Sequence, residues 1–167
     1  MPIEVDDYVN VDTQLKAFGM NMPQGIAFLP RNLATADSPS ALLHESSVST
    51  LRILFRQSGI VEDRIESPEQ TILVLQENAF ELTLPALFIG ISLLTENAAA
   101  VNVALSVIAN YATDFFKGIG GERRVKFSIV VEDRYTGKYK RFRYSGDPAG
   151  LKEFGRIVEQ ASNDSNS

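Results

Sequence analysis

Residues 125–144 read VKFSIVVEDRYTGKYKRFRY, and the fold is decided by how this stretch is paired. Apolar and polar residues alternate on both sides of a turn-forming centre, the pattern of two half-buried antiparallel strands. A two-residue turn at Thr136-Gly137 sets Val131 opposite Phe142 and Ile129 opposite Tyr144. Phe127, Ile129, Val131, Phe142 and Tyr144 then share one face. The other face holds Lys126, Ser128, Val130, Glu132, Arg134, Tyr139, Arg141 and Arg143. Slipping one strand by one residue would bury Arg141 and Arg143 beside Ile129 and Val131, so the register is well specified. Threonine is a poor residue for the positive φ that such a turn demands, which leaves a bulge at Gly137 as the alternative.

The same stretch carries an unusual charge. Lys117, Arg123, Arg124, Lys126, Arg134, Lys138, Lys140, Arg141 and Arg143 face only Glu122, Glu132 and Asp133, within a chain of net charge −5. The two-residue turn places Glu132 opposite Arg141 and Asp133 opposite Lys140, pairs worth tenths of a kcal/mol up to about 1. Arg123, Arg124, Lys126, Arg134, Lys138 and Arg143, with Tyr139 among them, form a candidate surface for phosphates and stacked bases together with Arg141. The pattern equally describes a solvated face that keeps an edge strand soluble.

Working outward, Pro85 permits a helix start, and apolar residues at helical spacing run over 86–117 until Gly118. Thr95-Glu96-Asn97 is a possible break. Asn102, Ser106, Asn110 and Asp114 recur every four residues as one polar stripe, expected to face solvent, with a polar seam between subunits as the alternative. Ala98, Val101, Leu105 and Ile108 lie off it and are the candidate oligomer interface. Residues 71–76 and 79–84 read as strands joined at Glu77-Asn78, and 25–30 as a short strand. Leu51, Ile53 and Phe55 alternate with Arg52 and Arg56 as in a strand, but Ser47 and Gly59 bracket a helix around Leu51, Leu54 and Phe55 and favour it, and Asp37-Ser38-Pro39 opens a short helix to about Glu45. Residues 60–70 read as a loop. Asp147-Pro148 opens a last helix with Leu151, Phe154, Ile157 and Val158 on its apolar side. Residues 1–24 show no clear period and read as an irregular arm with room for one short element, and 162–167 as a disordered tail.

At 167 residues without cysteine, one domain over 1–161 is expected, with no disulfide or thiolate chemistry. The first residues lack a basic segment followed by an apolar one, so the reading expects a cytoplasmic protein. The uncharged run 97–113 contains several asparagines and falls short of the roughly 20 apolar residues of a membrane span. His44 is the sole histidine. It lacks the second histidine of a zinc helix, and Ser46, Ser47 and Ser49 carry no nucleophile-elbow motif. Gly118-Ile119-Gly120-Gly121 follows a helix and precedes a strand, the reverse of a dinucleotide loop. Asp6-Asp7 and Glu62-Asp63 lack calcium-loop spacing. No cofactor is therefore expected, and no catalytic residue is assigned.

The order of an apolar helix (87–117), a basic hairpin (125–144) and a short helix (151–158) resembles small adaptor-like domains associated with effectors in bacterial conflict systems. The resemblance spans less than half the chain and implies a non-enzymatic binding role. The expected fold is α+β: an antiparallel sheet of four to five strands on one long apolar helix and a C-terminal helix. The expected function is a protein-interaction or adaptor module, self-associating through 86–117 or meeting a protein partner. Nucleic-acid binding by the hairpin is the alternative, and an enzyme without a recognisable motif is a third class.

Overall fold

A computed structural model describes residues 3–75, 81–118, 121, 123–133 and 135–165. The elements run β1 (Ile3–Tyr8), α1 (Val11–Ala17), β2 (Ile26–Leu29), β3 (Leu43–His44), α2 (Val48–Gln57), β4 (Leu73–Val74), β5 (Leu82–Thr83) and β6 (Ala86–Ile89). They continue with α3 (Ile91–Glu96), α4 (Ala98–Phe115), β7 (Val125–Glu132), β8 (Tyr139–Gly146) and α5 (Leu151–Ser165). The class is α+β as expected, but the sheet is mixed. Among the described residues it has six strands, in the order β1-β8-β7-β6-β2 with β5 also on β7.

The mixed sheet follows from the connection between β6 and β7. These strands pair in parallel, Leu87 with Ile129 and Ile89 with Val131. A parallel pair needs a crossover, and α3 and α4 supply it. The expected 86–117 helix is thus a strand followed by two helices. Its first residues, Leu87, Phe88 and Ile89, lie at the centre of the sheet and are at most 1% exposed. Asn97 divides the helices, its side chain accepting from the Ala100 amide at 3.3 Å to cap α4. β5 and β6 both run alongside β7, but the offset changes by one residue between Thr83–Lys126 and Leu87–Ile129. That bulge contains Pro85, which has no amide hydrogen to give the ladder.

The proposed 71–76/79–84 hairpin does not form as one ladder: β4 pairs in parallel with β3, and β5 with β7. Its Glu77-Asn78 turn lies outside the described residues. The Asp37-Ser38-Pro39 signal opens only a single turn, Pro39–Ala41, before the chain extends into β3. The supposed N-terminal arm is β1 and α1. α5 runs on to Ser165, past the start of the expected tail.

Both faces of the sheet are covered. Phe28, Leu87, Ile129, Val131 and Phe142 meet α2, α4 and α5 through Leu51, Phe55, Ile108 and Phe154. On the opposite face Ala27, Leu29, Phe88, Val130 and Tyr139 meet Val11 and Leu15 of α1, with Leu33, Leu42, Ile65 and Ile72. The second layer is built from the N-terminal third and from residues 65–72, which explains why the presumed outer face of the hairpin includes the fully buried Val130. Among the described residues no helix is long and apolar enough to cross a membrane.

Gly90 joins β6 to α3 at a point of close approach. Its amide donates to Gly25 O at 2.9 Å, and a Cβ placed there would lie 2.0 Å from Gln24 O, a backbone atom. Gly90→Ala is expected to destabilise the chain by at least about 1–3 kcal/mol by forcing β2 and β6 apart. Chemical denaturation of the two proteins checks this. An unchanged midpoint would mean that the junction moves freely.

Candidate functional site

The hairpin forms with its faces as expected and its partners moved. Ile129 pairs with Phe142, Phe127 with Tyr144 and Glu132 with Tyr139, a shift of two residues from the two-residue turn. A two-residue shift leaves each side chain on its face. The connection is the wider loop 133–138. There the Asp133 amide donates to Lys138 O at 2.7 Å, and among the loop's described residues Gly137 takes the positive φ, +70°. The expected Glu132–Arg141 and Asp133–Lys140 pairings are replaced.

Strand β1 supplies the replacements. Arg141 donates to Asp6 through Nε (3.2 Å) and Nη2 (2.8 Å) and lies over the Tyr8 ring, 5.3 Å from its centroid. The hydrogen bond from Arg141 outweighs burial and lowers the Asp6 pKa. Arg143 pairs with Glu4 at 2.8 Å. Tyr139 is not a stacking platform: it is buried beside Phe88, and burial with nearby Glu132 pushes its hydroxyl up to about 12. Lys138 is exposed on the loop. Arg134 lies outside the described residues.

Part of the cationic set does converge. Arg124, Lys126 and Arg143 line an open hollow of about 530 Å³ with Thr83, Ser128 and Ser145. Arg123 and Arg124 border a neighbouring hollow with Asp147. Carboxylates temper it, since Lys126 pairs with Glu81 at 3.4 Å and Glu4 lines the wall.

The interface residues proposed for the long helix meet a different fate. Val101, Leu105 and Ile108 are at most 7% exposed and sit in this chain's own core. Leu105 packs so closely on α5 that a Cβ at Gly155 would lie 2.6 Å from it. Only Ala98 of that set is exposed. Asn102, Asn110 and Asp114 face solvent.

A different surface is left open at the β1 end of the sheet. Among the described residues no strand pairs with the outer side of β1. Val5, in its middle, is 54% exposed, high for a valine in a strand. It opens onto an apolar cleft of about 200 Å³ formed with Ile91, Val131, Phe142, Ala161 and Ser162. Glu132, Asp133 and Lys140 also line it. The Ser162 side chain is buried, and its hydroxyl has no hydrogen-bond partner among the described residues. The sequence signal was present in Ile3-Glu4-Val5-Asp6, but two alternations are too few to establish a strand.

The lone histidine lies in a buried ionic cluster. His44 is 1% exposed, with Nε2 3.9 Å from Glu66 and 3.5 Å from Arg52 Nη2. Arg52 donates to Glu62 through Nε at 2.9 Å and to Glu66 through Nη2 at 2.8 Å. Among the described residues no serine hydrogen-bonds to His44. The cluster ties α2 to 62–66 and the β3–β4 ladder, a structural task.

No protein-family model matches this chain, and no curated protein and no solved structure matches it.

Proposed function

We propose that this chain is a non-catalytic protein-interaction module that takes up an extended segment of a partner along the outer side of β1. The observation that supports it is the open strand edge lying beside an apolar cleft. Backbone groups along such an edge offer hydrogen bonds to an added strand, and a pocket alongside selects its side chains. The cleft's size suits one side chain, being below the roughly 300–1,000 Å³ of ordinary small-molecule sites. The test compares proteins retained from an extract of the producing cells by the full chain and by the Val5→Lys chain, both checked for folding by circular dichroism. Partners held by the first and lost by the second are expected. Identical sets would overturn the reading.

The hollow lined by Arg124, Lys126 and Arg143 favours a second reading, binding of nucleic-acid phosphates. Titration into labelled single- and double-stranded DNA and RNA at about 50 and 200 mM salt tests it, because released counterions make true phosphate binding fall steeply with salt. Lys126→Glu is expected to weaken that binding and flatten its salt slope by about one unit. Absence of binding at the lower salt would leave Lys126 and Arg143 as partners of Glu81 and Glu4.

A further inference from the structure

The β1 edge also carries information about what it would accept. We infer that its partner is an extended segment in which apolar residues alternate with Lys or Arg, one apolar side chain entering the cleft beside Val5 and Phe142. This rests on the strand-addition reading above and adds the partner's chemistry to it.

The charge around the edge is the argument. Glu4 and Asp6 are engaged by Arg143 and Arg141 on the far side of the sheet. On the cleft side, Asp7 sits opposite Lys140 in the β1–β8 ladder, and Glu132 and Asp133 line the cleft. Two carboxylates therefore line an apolar opening that holds one ammonium, and a third, Asp7, is that lysine's cross-strand neighbour. An incoming cation is attracted there, and an incoming carboxylate is repelled. The same charge excludes a second copy of β1. Two-fold antiparallel pairing keeps each residue on its own face, so centred on Val5 it would set Glu4 against Asp6, and centred on Asp6 it would set Asp6 against Asp6 and Val5 against Asp7. Each such contact opposes like charges or places an acid against the apolar opening. The buried Ser162 hydroxyl, without a partner among the described residues, adds a hydrogen-bonding group to the floor. A polar atom of an entering side chain, or the sulfur of methionine, has a use there.

Random peptides of about eight residues, the length of an ordinary strand, displayed on phage and panned on the full chain test this inference. Selected sequences are expected to alternate apolar with Lys or Arg, and to lose binding when a central residue is replaced by proline. Val5→Lys should weaken them by about tenfold or more, since it removes apolar contact and brings a like charge. Asp7→Lys should shift the selection away from basic sequences. Acidic selected peptides that still need Val5 would overturn the proposed chemistry and leave the edge reading standing. Peptides bound equally by the folded Val5→Lys chain would overturn both, as would the absence of any enrichment.

Discussion

Replacing Arg52 by methionine is expected to destabilise the chain by about 3–5 kcal/mol, the cost of leaving a buried charge without its partner. The side chain is 14% exposed and holds two carboxylates at once, Glu62 and Glu66. Methionine keeps the apolar stem but removes the donors that both carboxylates use. Lysine should rescue little, because a single ammonium cannot reproduce donation from Nε and Nη2 in fixed directions. Denaturant unfolding of wild type, Arg52→Met and Arg52→Lys measures this, and a loss below about 1 kcal/mol, the level of a surface pair, would show the cluster to be dispensable.

The same cluster sets a pH dependence. Burial by itself raises the Glu66 pKa, but the facing His44 imidazole and the Arg52 guanidinium outweigh it and bring the carboxyl down from 4.5 to about 2. A carboxylate whose folded pKa lies below its unfolded value contributes stability that is complete above the unfolded value. That contribution, about 3 kcal/mol, is lost as pH falls from about 4.5 toward 2. Glu62 acts in the opposite sense: burial raises its pKa despite Arg52, so it favours the folded state on the acid side and gives that up as pH rises through its folded value. Glu66→Gln should therefore flatten the acid limb of the stability curve below pH 4.5. An unaltered limb would remove Glu66 from the account.

Phe154→Ala is the second large effect, about 3–5 kcal/mol. Phe154 is fully buried where α5 meets the sheet, edge-on to Phe127 at 5.8 Å and tilted against Tyr144 at 5.5 Å. Ala161 and Ser162, further along the same helix, form one wall of the cleft beside Val5. Loosening the helix should thus weaken peptide capture at the β1 edge as well as stability. Phe154→Leu fills most of the space and should recover the larger part of both. Recovery of stability without recovery of binding would separate α5 from the cleft.

The legible part of the site and fold was local. The face assignment of the hairpin was readable because its period is two, so the faces survived a register error of two residues. The Gly59 and Gly118 helix ends and the Asn97 break were readable because caps and glycine act over a few residues. The pairing partners of Arg141 and Arg143 were not readable. They come from Glu4 and Asp6, more than 130 residues away, and nothing within the hairpin distinguishes a cation waiting for β1 from one waiting for phosphate. The 86–117 reading failed for a related reason. Leu87-Phe88-Ile89 is apolar throughout, and a short apolar run fits a buried strand as well as a buried helix.

The sequence by itself determined that the chain folds as α+β around a Val125–Glu132/Tyr139–Gly146 hairpin, because side-chain alternation and turn chemistry are properties of neighbouring residues. Only the tertiary structure decided that the sheet is mixed, that its second face is covered, and which edge stays open. Ile26-Ala27-Phe28-Leu29 carried a hint, since four buried residues in succession need apolar partners on both sides. Which segment supplies the second cover cannot be read from such a run. It depends on where α1 and residues 65–72 come to rest, a matter of long-range packing that leaves no local trace.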